Sequence, residues 1–405
     1  MMKCGLLGKT LRHSYSPAIH AQLGDYYYDL FEKKESELAS FLESGDWDGL
    51  NVTIPYKKAA LPFCDTLSGD ARRTGSVNTL VRRGGNIFGD NTDVAGFRAL
   101  AESSGLSFGG KKALVLGSGG ASAAVCAALE DLGAKPTVIS RKGEDNYGNL
   151  ERHLDARLIV NATPLGMFPG NGTSPLDPER FEACEAIFDV VYNPARTALM
   201  LRAEELGIPC FGGLRMLVAQ ARRSSEDFTG ETIPETVLDP IQRSLEKEMR
   251  NIILIGMPGC GKSTLASMLS AVTGRPFRDS DSLVEERTGR RIRDILMQDG
   301  EESFRMLETA ALRELGKLSG RIIATGGGCI TRTENYPLLH QNGIILWIRR
   351  DLRHLPKNGR PLSQSGDLAD MYRHREPLYR FFSDGEIDNN GTPEESLRQI
   401  LEVIG

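Results

Sequence analysis

Residues 251–264 read NIILIGMPGCGKST. A short apolar strand, Asn251–Ile255, runs directly into a GxxxxGK[ST] loop, Gly256 to Ser263. A helical pattern follows, with Leu265, Met268, Leu269 and Val272 on one face. Strand, glycine loop and helix in this order make a phosphate cradle, because the loop turns its backbone N–H groups inward at a helix N-terminus. Gly256, Gly259, Cys260, Gly261, Lys262, Ser263 and Thr264 are therefore expected to hold ATP. Lys262 would reach the β- and γ-phosphates and Ser263 would ligate Mg2+. The same stretch sets the fold class of this part of the chain as α/β, with a parallel sheet flanked by helices.

Working back from that strand, SLEKEMR (Ser244–Arg250) is highly charged and helix-favouring. Met249 would serve as the start of an independent unit, so a fusion boundary is expected there, with residues 249–405 as one domain. No repeat relates the two sides. The upstream part has its own glycine turn: ALVLG (Ala113–Gly117) leads into Gly117-Ser118-Gly119-Gly120-Ala121-Ser122. The helix after it carries Val125, Leu129 and Leu132 on one stripe and has Gly133 as its stop. Ser122 stands where a third glycine is usual in a dinucleotide turn. The next strand, TVIS (Thr137–Ser140), ends in Ser140-Arg141-Lys142. An acidic residue there would bind ribose hydroxyls; cations suit a 2′-phosphate, which points to NADP(H).

Composition bounds the rest. A chain of 405 residues suggests two or three domains. With 40% hydrophobic and 25% charged residues it reads as globular, and its formal net charge of −5 gives no reason to expect a nucleic-acid partner. No apolar run approaches the roughly 20 residues of a membrane span, and the N-terminus lacks a signal-peptide pattern. Seven scattered cysteines without a CxxC pair fit a reducing cytoplasm and offer no zinc site.

Three further segments place polar residues where packing gives no reason for them: HSYSP (His13–Pro17), NVTIPYKK (Asn51–Lys58) and GDNTD (Gly89–Asp93). Taken singly they read as caps, turns and surface charge. In the order HSYSP, NVTIPYK, SVNTL, GDNTD, GSGGAS, NATPLGM and GGLRMLVAQA, they resemble shikimate dehydrogenase over about 240 residues. The resemblance implies a two-lobed enzyme with a Rossmann-like NADP domain. Residues 1–94 plus 211–245 would form the substrate-binding domain and 95–210 the NADP-binding domain. Ser14 and Ser16 would bind the substrate carboxylate, and Thr53, Asn78 and Gln220 its hydroxyls. Tyr192 would lie near the carboxylate and the nicotinamide, with Asn161, Thr163, Met167 and Gly213 on the cofactor side. Lys57 and Asp93 would be the catalytic pair: the lysine donates a proton to the oxygen of the reduced ketone, and the aspartate orients it and accepts from the substrate hydroxyl. Lys58 is expected at the surface. Val94 stands where the family has glycine and would crowd the site.

After the phosphate loop, FRDSD (Phe277–Asp281) offers two carboxylates that share one face if the segment is extended. GEESFR (Gly300–Arg305) with Glu308 sets an arginine and a glutamate at i, i+3, a spacing common for surface ion pairs. IIAT (Ile322–Thr325) ends in three glycines. With GRPL (Gly359–Leu362) and REPLY (Arg375–Tyr379), this set resembles shikimate kinase over about 155 residues. The resemblance implies that Asp281, Arg305, Gly327, Gly328 and Arg375 hold shikimate, that Asp279 lies near Mg2+, and that Arg360 swings in on a lid over 353–370 that is short for the family. Arg349, Arg350 and Arg353 read as a solvated basic patch.

The expected function is a bifunctional enzyme that reduces 3-dehydroshikimate with NADPH and then phosphorylates shikimate with ATP. Two rivals remain open at this point. One is an NAD-dependent quinate/shikimate dehydrogenase. The other is a dehydrogenase regulated by a silent ATP-binding module.

Overall fold

The protein is described by a computed structural model covering residues 1–11, 14–355 and 368–405. It divides into two compact units, Met1–Tyr192 with Leu199–Ser244, and Asn193–Ala198 with Leu245–Gly405. Among the described residues no helix is long and apolar enough to cross a membrane.

The first unit holds two sheets. One has six strands, β1 (Lys3–Gly8), β2 (Tyr27–Glu32), β3 (Gly49–Val52), β4 (Thr66–Leu67), β5 (Thr79–Arg83) and β6 (Asn86–Asp90), in the order β2-β1-β3-β5-β6-β4. It is mixed, not purely parallel as the strand–helix alternation suggests, because β5 pairs antiparallel with both β3 and β6. The cause is local. Gly84 and Gly85, with φ of +56° and +87°, supply a two-residue hairpin turn that other residues resist. Helices α1 (Ser16–His20), α2 (Leu38–Ser44), α3 (Gly69–Thr74) and α4 (Asp93–Ser103) belong to this lobe.

The second sheet is wholly parallel: β7 (Lys112–Leu116), β8 (Lys135–Ile139), β9 (Leu158–Asn161), β10 (Ala186–Asp189) and β11 (Cys210–Gly212), in the order β11-β10-β9-β7-β8. Ala113 to Leu116 are completely buried, as expected for a central parallel strand covered on both faces. The chain leaves β7 through the glycine turn into α5 (Gly120–Asp131). Since β8 lies on one side of β7 and β9 on the other, that turn sits at the switch point where open sheets bind ligands. After α6 (Ala198–Glu205), helix α7 (Leu214–Thr229) packs on α4 and α1. There Gly96 is needed, since a Cβ would stand 2.8 Å from the Met216 carbonyl oxygen. Helix α8 (Leu238–Met249) carries the charged stretch, and the division between the two compact units falls within it, after Ser244.

The second unit repeats the logic with β12 (Asn251–Ile255), β13 (Phe277–Asp279), β14 (Ile322–Ala324), β15 (Gly343–Arg349) and β16 (Gly385–Asp388). All are parallel, in the order β13-β14-β12-β15-β16, so the phosphate loop also leaves a switch-point strand. The helices are α9 (Lys262–Thr273), α10 (Ser280–Thr288), α11 (Ile292–Leu315, broken at Gly300), α12 (Asn335–His340), α13 (Leu368–Phe382) and α14 (Pro393–Ile404). Leu265, Ala266 and Leu269 face the core of α9, whereas Val272 is 61% exposed in its last turn, contrary to the stripe expected there. The expected sharing of a face by Asp279 and Asp281 also fails. Asp279 ends β13 and caps α10, its Oδ1 accepting from the N–H groups of Asp281 and Ser282, so the chain is already helical at Asp281.

Candidate active sites

In the first unit the glycine turn is built for close approach. Gly117 has φ +109°, and a Cβ there would meet Thr163 Cγ2 and the Ala162 carbonyl at 3.0 and 3.1 Å. Nothing lies within 4 Å of a Cβ at Gly119, and Ser118 is exposed, so the turn is open above the start of α5 at Gly120 and Ala121. Past β8, Ser140 is half-buried, and Arg141 and Lys142 are exposed cations. Asn161 is fully buried. Its amide donates to both oxygens of Asp189, and its Oδ1 accepts from the Thr163 N–H and hydroxyl. It thus shapes the bend that carries exposed Met167. Gly213 lies against Val190, whose carbonyl oxygen would be 2.2 Å from a Cβ.

Lys57 follows the turn after β3, which ends at Val52, two residues earlier than the sequence suggests, because Pro55 has no N–H to continue the ladder. Its Nζ donates to Asp93 Oδ2 at 2.5 Å, with the lysine side chain 20% and the aspartate 9% exposed. Its Cδ is 3.8 Å from where a Cβ of Gly120 would stand, so the pair lies at the foot of the glycine turn. Lys58 is exposed. Val94 packs in the apolar core with Phe97 and Met216, where its branching is absorbed.

Asn78 orients Asp93. Its Nδ2 donates to Asp93 Oδ1 at 2.9 Å, and its Oδ1 accepts from the Thr92 N–H at 2.7 Å and from a threonine hydroxyl, Thr92 or Thr79, at 3.1 Å. With both lone pairs used, the second N–H of Nδ2 is what Asn78 has left to offer. Gln220 Oε1 accepts from Thr92 at 3.4 Å. Thr53 is half-buried just past β3. Ser14 and Ser16 converge: Ser14 Oγ is 3.1 Å from Ser16 Oγ and accepts the Ser16 N–H. Between them Tyr15 meets Tyr192 edge-on, with ring centroids 6.3 Å apart, and burial raises the Tyr192 phenol above its ordinary pKa.

In the second unit Gly256, Gly259 and Gly261 have φ of +144°, +87° and +103°, conformations that shape the cradle and that other residues avoid. Lys262 is buried, its Nζ donating to the carbonyls of Gly256 and Met257 at 2.8 and 3.1 Å. Cys260 is buried within the loop, and its carbonyl accepts from Asn389 Nδ2 at 2.6 Å. Ser263 Oγ donates to Asp279 Oδ2 at 2.9 Å, with Thr264 exposed beside it. Two hard oxygen donors joined at a phosphate loop fit Mg2+, which takes few protein ligands and completes its shell with phosphate and water.

Facing this, Arg305 and Glu308 are buried, 5% and 0% exposed, not a surface pair. Arg305 donates from Nη1 to Glu308 Oε2 at 2.6 Å and from Nη2 to Glu301 at 2.9 Å. Its guanidinium lies on Gly328, where a Cβ would be 2.1 Å from Nη2. Arg375 Nη1 and Tyr379 Oη donate to the Gly327 carbonyl at 3.3 and 2.5 Å. Asp281 Oδ1 and Glu308 Oε1 are buried without a protein partner, both against Gly326. Burial, then the negative charge of Glu308, pushes the Asp281 carboxyl up to about 7. Arg360 and most of the expected lid lie outside the described residues.

The quoted segments contain Asn51, Thr79 and Thr92 without giving them individual roles, and the sequence singles out neither Ser224 nor Asn389. Only burial reveals them; a lone serine in a helix carries no sequence signal. Sequence reasoning also missed a cleft of about 390 Å3 lined by Arg349, Arg350, Asp351, Tyr372, Asp388 and Asn390, among others. Asn389, between two lining residues, ties that cleft to the phosphate loop, so Arg349 and Arg350 of the expected solvated patch border a pocket, whereas Arg353 is exposed.

Residues 6–80 match the family model for the shikimate dehydrogenase substrate binding domain. A shikimate dehydrogenase (NADP(+)) of Caldicellulosiruptor bescii is 36% identical over 250 residues, covering 55% of this chain and 87% of the relative. The chain belongs to the shikimate dehydrogenase family. Residues 258–405 match the shikimate kinase model, so a shikimate dehydrogenase domain is fused to a shikimate kinase domain. Among solved structures, shikimate dehydrogenase 1 of Peptoclostridium difficile matches with a TM-score of 0.56 and 33% identity, over 61% of this chain and 98% of that one. The Thermus thermophilus shikimate 5-dehydrogenase, solved in complex with NADP(H) and shikimate, gives 0.56 and 32%, over 60% and 99%. Both domains of this chain match known enzyme families.

Proposed function

We propose that the chain is a bifunctional enzyme of the cytoplasm. Its dehydrogenase domain reduces 3-dehydroshikimate to shikimate with NADPH, and its kinase domain transfers the γ-phosphoryl group of ATP to the 3-hydroxyl of shikimate. The observation that carries the reading is the Lys57–Asp93 pair at the foot of the Gly117–Ala121 turn. NADPH supplies a hydride to the carbonyl carbon. The Lys57 ammonium then gives its proton to the oxygen that has gained the electron pair, so ketone, hydride and proton sum to an alcohol. Asp93 aims the lysine, and Asn78, with its oxygen already satisfied, contributes a donor to a substrate hydroxyl. Ser14 and Ser16 offer hydroxyls to a carboxylate. Arg141 and Lys142, in place of an acidic residue after β8, favour the 2′-phosphate of NADP over NAD.

In the kinase domain Asp281 holds the attacking hydroxyl and Arg305 and Arg375 take the carboxylate. Ser263 and Asp279 hold Mg2+, which offsets charge on the phosphates when bound. The cleft beside Asn389 suits the nucleoside end of ATP. Intact Lys262, Asp281 and Arg305 disfavour a silent module. The test is a coupled assay: 3-dehydroshikimate, NADPH and ATP with the full chain, products identified by mass. Shikimate 3-phosphate is expected. Shikimate accumulating as the end product would defeat the kinase half, and no NADPH oxidation would defeat the dehydrogenase half.

A further inference from the structure

We propose that Ser224 is a positioning residue of the dehydrogenase site, its buried hydroxyl fixing the amide of Asn78 and, through it, the carboxylate of Asp93. The inference rests on the reading of Lys57 and Asp93 given above.

Ser224 lies in the middle of α7, one turn after Gln220, and is completely buried. Its Oγ has four polar neighbours: the Gln220 carbonyl at 2.9 Å, Asn51 Nδ2 at 2.7 Å, Thr79 Oγ1 at 2.8 Å and Thr92 Oγ1 at 3.1 Å. A hydroxyl has one proton and two lone pairs. Its proton goes to the Gln220 carbonyl, which leaves Oγ as an acceptor for Asn51 and for one threonine. The two threonines share the remaining choice, because each also reaches Asn78 Oδ1 at 3.1 Å. When Thr92 donates to Ser224, Thr79 donates to Asn78; when Thr79 donates to Ser224, Thr92 takes Asn78 at 3.1 Å over the longer contact to Gln220 Oε1 at 3.4 Å. Either way Asn78 Oδ1 is held on the threonine side by the Thr92 N–H and one hydroxyl. Nδ2 is thereby turned toward Asp93.

The same hydroxyl ties down the opposite end of the site. Asn51, which donates to Ser224, accepts from Tyr28 Oη at 2.7 Å. Tyr28 stacks on His20 at 4.0 Å, and His20 closes the short helix that opens at Ser16. One oxygen on α7 thus joins the element bearing Ser16 to the pair that handles the proton. A serine that bonds back to its own helix gains little for the helix, and alanine is the better helix former. Removing the hydroxyl should therefore spare the fold and spoil the geometry.

The experiment uses the full chain, whose kinase activity serves as an internal control, with Ser224→Ala and Ser224→Cys. The second keeps the volume but replaces a strong hydrogen-bonding group with a weak one. Both are expected to lower kcat for 3-dehydroshikimate reduction about tenfold, the scale of a misplaced catalytic group. KM for NADPH and the kinase rate should be unchanged. In parallel, the carboxyl 13C resonance of Asp93, which reports the hydrogen bonds the carboxylate accepts, should shift in both variants. Ala and Cys variants with the wild-type kcat and an unmoved Asp93 resonance would overturn the proposal, as would a kcat loss that merely tracks the folded fraction. Failure of the wild-type chain to reduce 3-dehydroshikimate would instead defeat the reading of the substrate, and the Asp93 resonance would still decide the role of Ser224.

Discussion

Arg305 and Glu308 offer a sharp separation of stability from function. Replacing Arg305 with methionine removes the partner of a carboxylate that has no exposed surface and whose other oxygen already lacks a partner. Breaking a buried pair from one side typically costs about 3–5 kcal/mol. The second ion pair of Arg305, to half-exposed Glu301, adds little. For a unit of this size each kcal/mol lowers the melting point by about 2–4 °C, so Arg305→Met should melt roughly 10 °C lower. Glu308→Leu strands the guanidinium and should cost a similar amount. The double variant strands neither charge, and it should recover most of the loss, because apolar side chains replace a buried pair at small net cost. The chain has two tryptophans, Trp47 and Trp347, and Trp347 is in β15 of the kinase unit. A Trp47→Phe background therefore makes fluorescence report that unit alone. The recovered double variant should still fail to phosphorylate shikimate while its dehydrogenase activity is normal. Wild-type melting of Arg305→Met would refute the desolvated pair, and phosphorylation by the double variant would refute a substrate role for Arg305.

In the dehydrogenase domain, Lys57→Ala should lower kcat about a hundredfold or more with little change in KM, whereas Lys58→Ala should change neither; steady-state kinetics with the order reversed would mean the wrong lysine. Arg141→Asp should erase or reverse the preference for NADPH over NADH, and since Arg141 is exposed the effect should be nearer tenfold than hundredfold in the ratio of kcat/KM. Buried Asp227 is pushed up from 3.8 to about 7, first by burial and then by Asp90, so the folded state prefers it protonated. Its contribution to stability is complete below about pH 4 and is lost as pH rises to about 7, by at most about 4 kcal/mol at 1.36 kcal/mol per pH unit. Asp227→Asn should therefore melt increasingly above wild type from pH 4 to pH 7 and level off beyond; a constant difference between pH 5 and pH 8 melting curves would contradict this.

What could be read from the chain depended on whether a signal was local. The runs Ile252–Ile255 and Ala113–Leu116 stand out because the middle of a switch-point strand is buried on both faces and is apolar there. Glycine turns announce themselves because positive φ excludes other residues. Asp279 misled the reading because two carboxylates at i and i+2 look alike in a strand or a helix start, and only the capping bonds tell them apart. The antiparallel hairpin at Gly84-Gly85 was legible but lay unread in a segment of charged residues. Ser224 and Asn51 were illegible, since 173 residues separate two atoms 2.7 Å apart.

On the function proposed above, the two domains would meet one substrate anion with different chemistry, and the difference follows from what else each must bind. Reduction brings the uncharged end of a dinucleotide to the ring, and the single cation at the reacting carbon is Lys57. Neutral hydroxyls on Ser14 and Ser16 can recognise a carboxylate there without placing a second cation in the site. Phosphorylation instead drives a polyanionic triphosphate against the same carboxylate-bearing ring. Like charges in a site that excludes water repel strongly, and hydroxyl donors cannot offset that repulsion. Two buried guanidiniums, Arg305 and Arg375, can, and Glu308 limits the positive charge they would otherwise leave in the pocket. On this argument exchanging the modes should fail in opposite ways. Arginine at Ser16 would tighten binding in ground state and transition state alike without raising kcat, whereas a neutral residue at Arg305 would weaken binding and leave any bound substrate repelled by ATP.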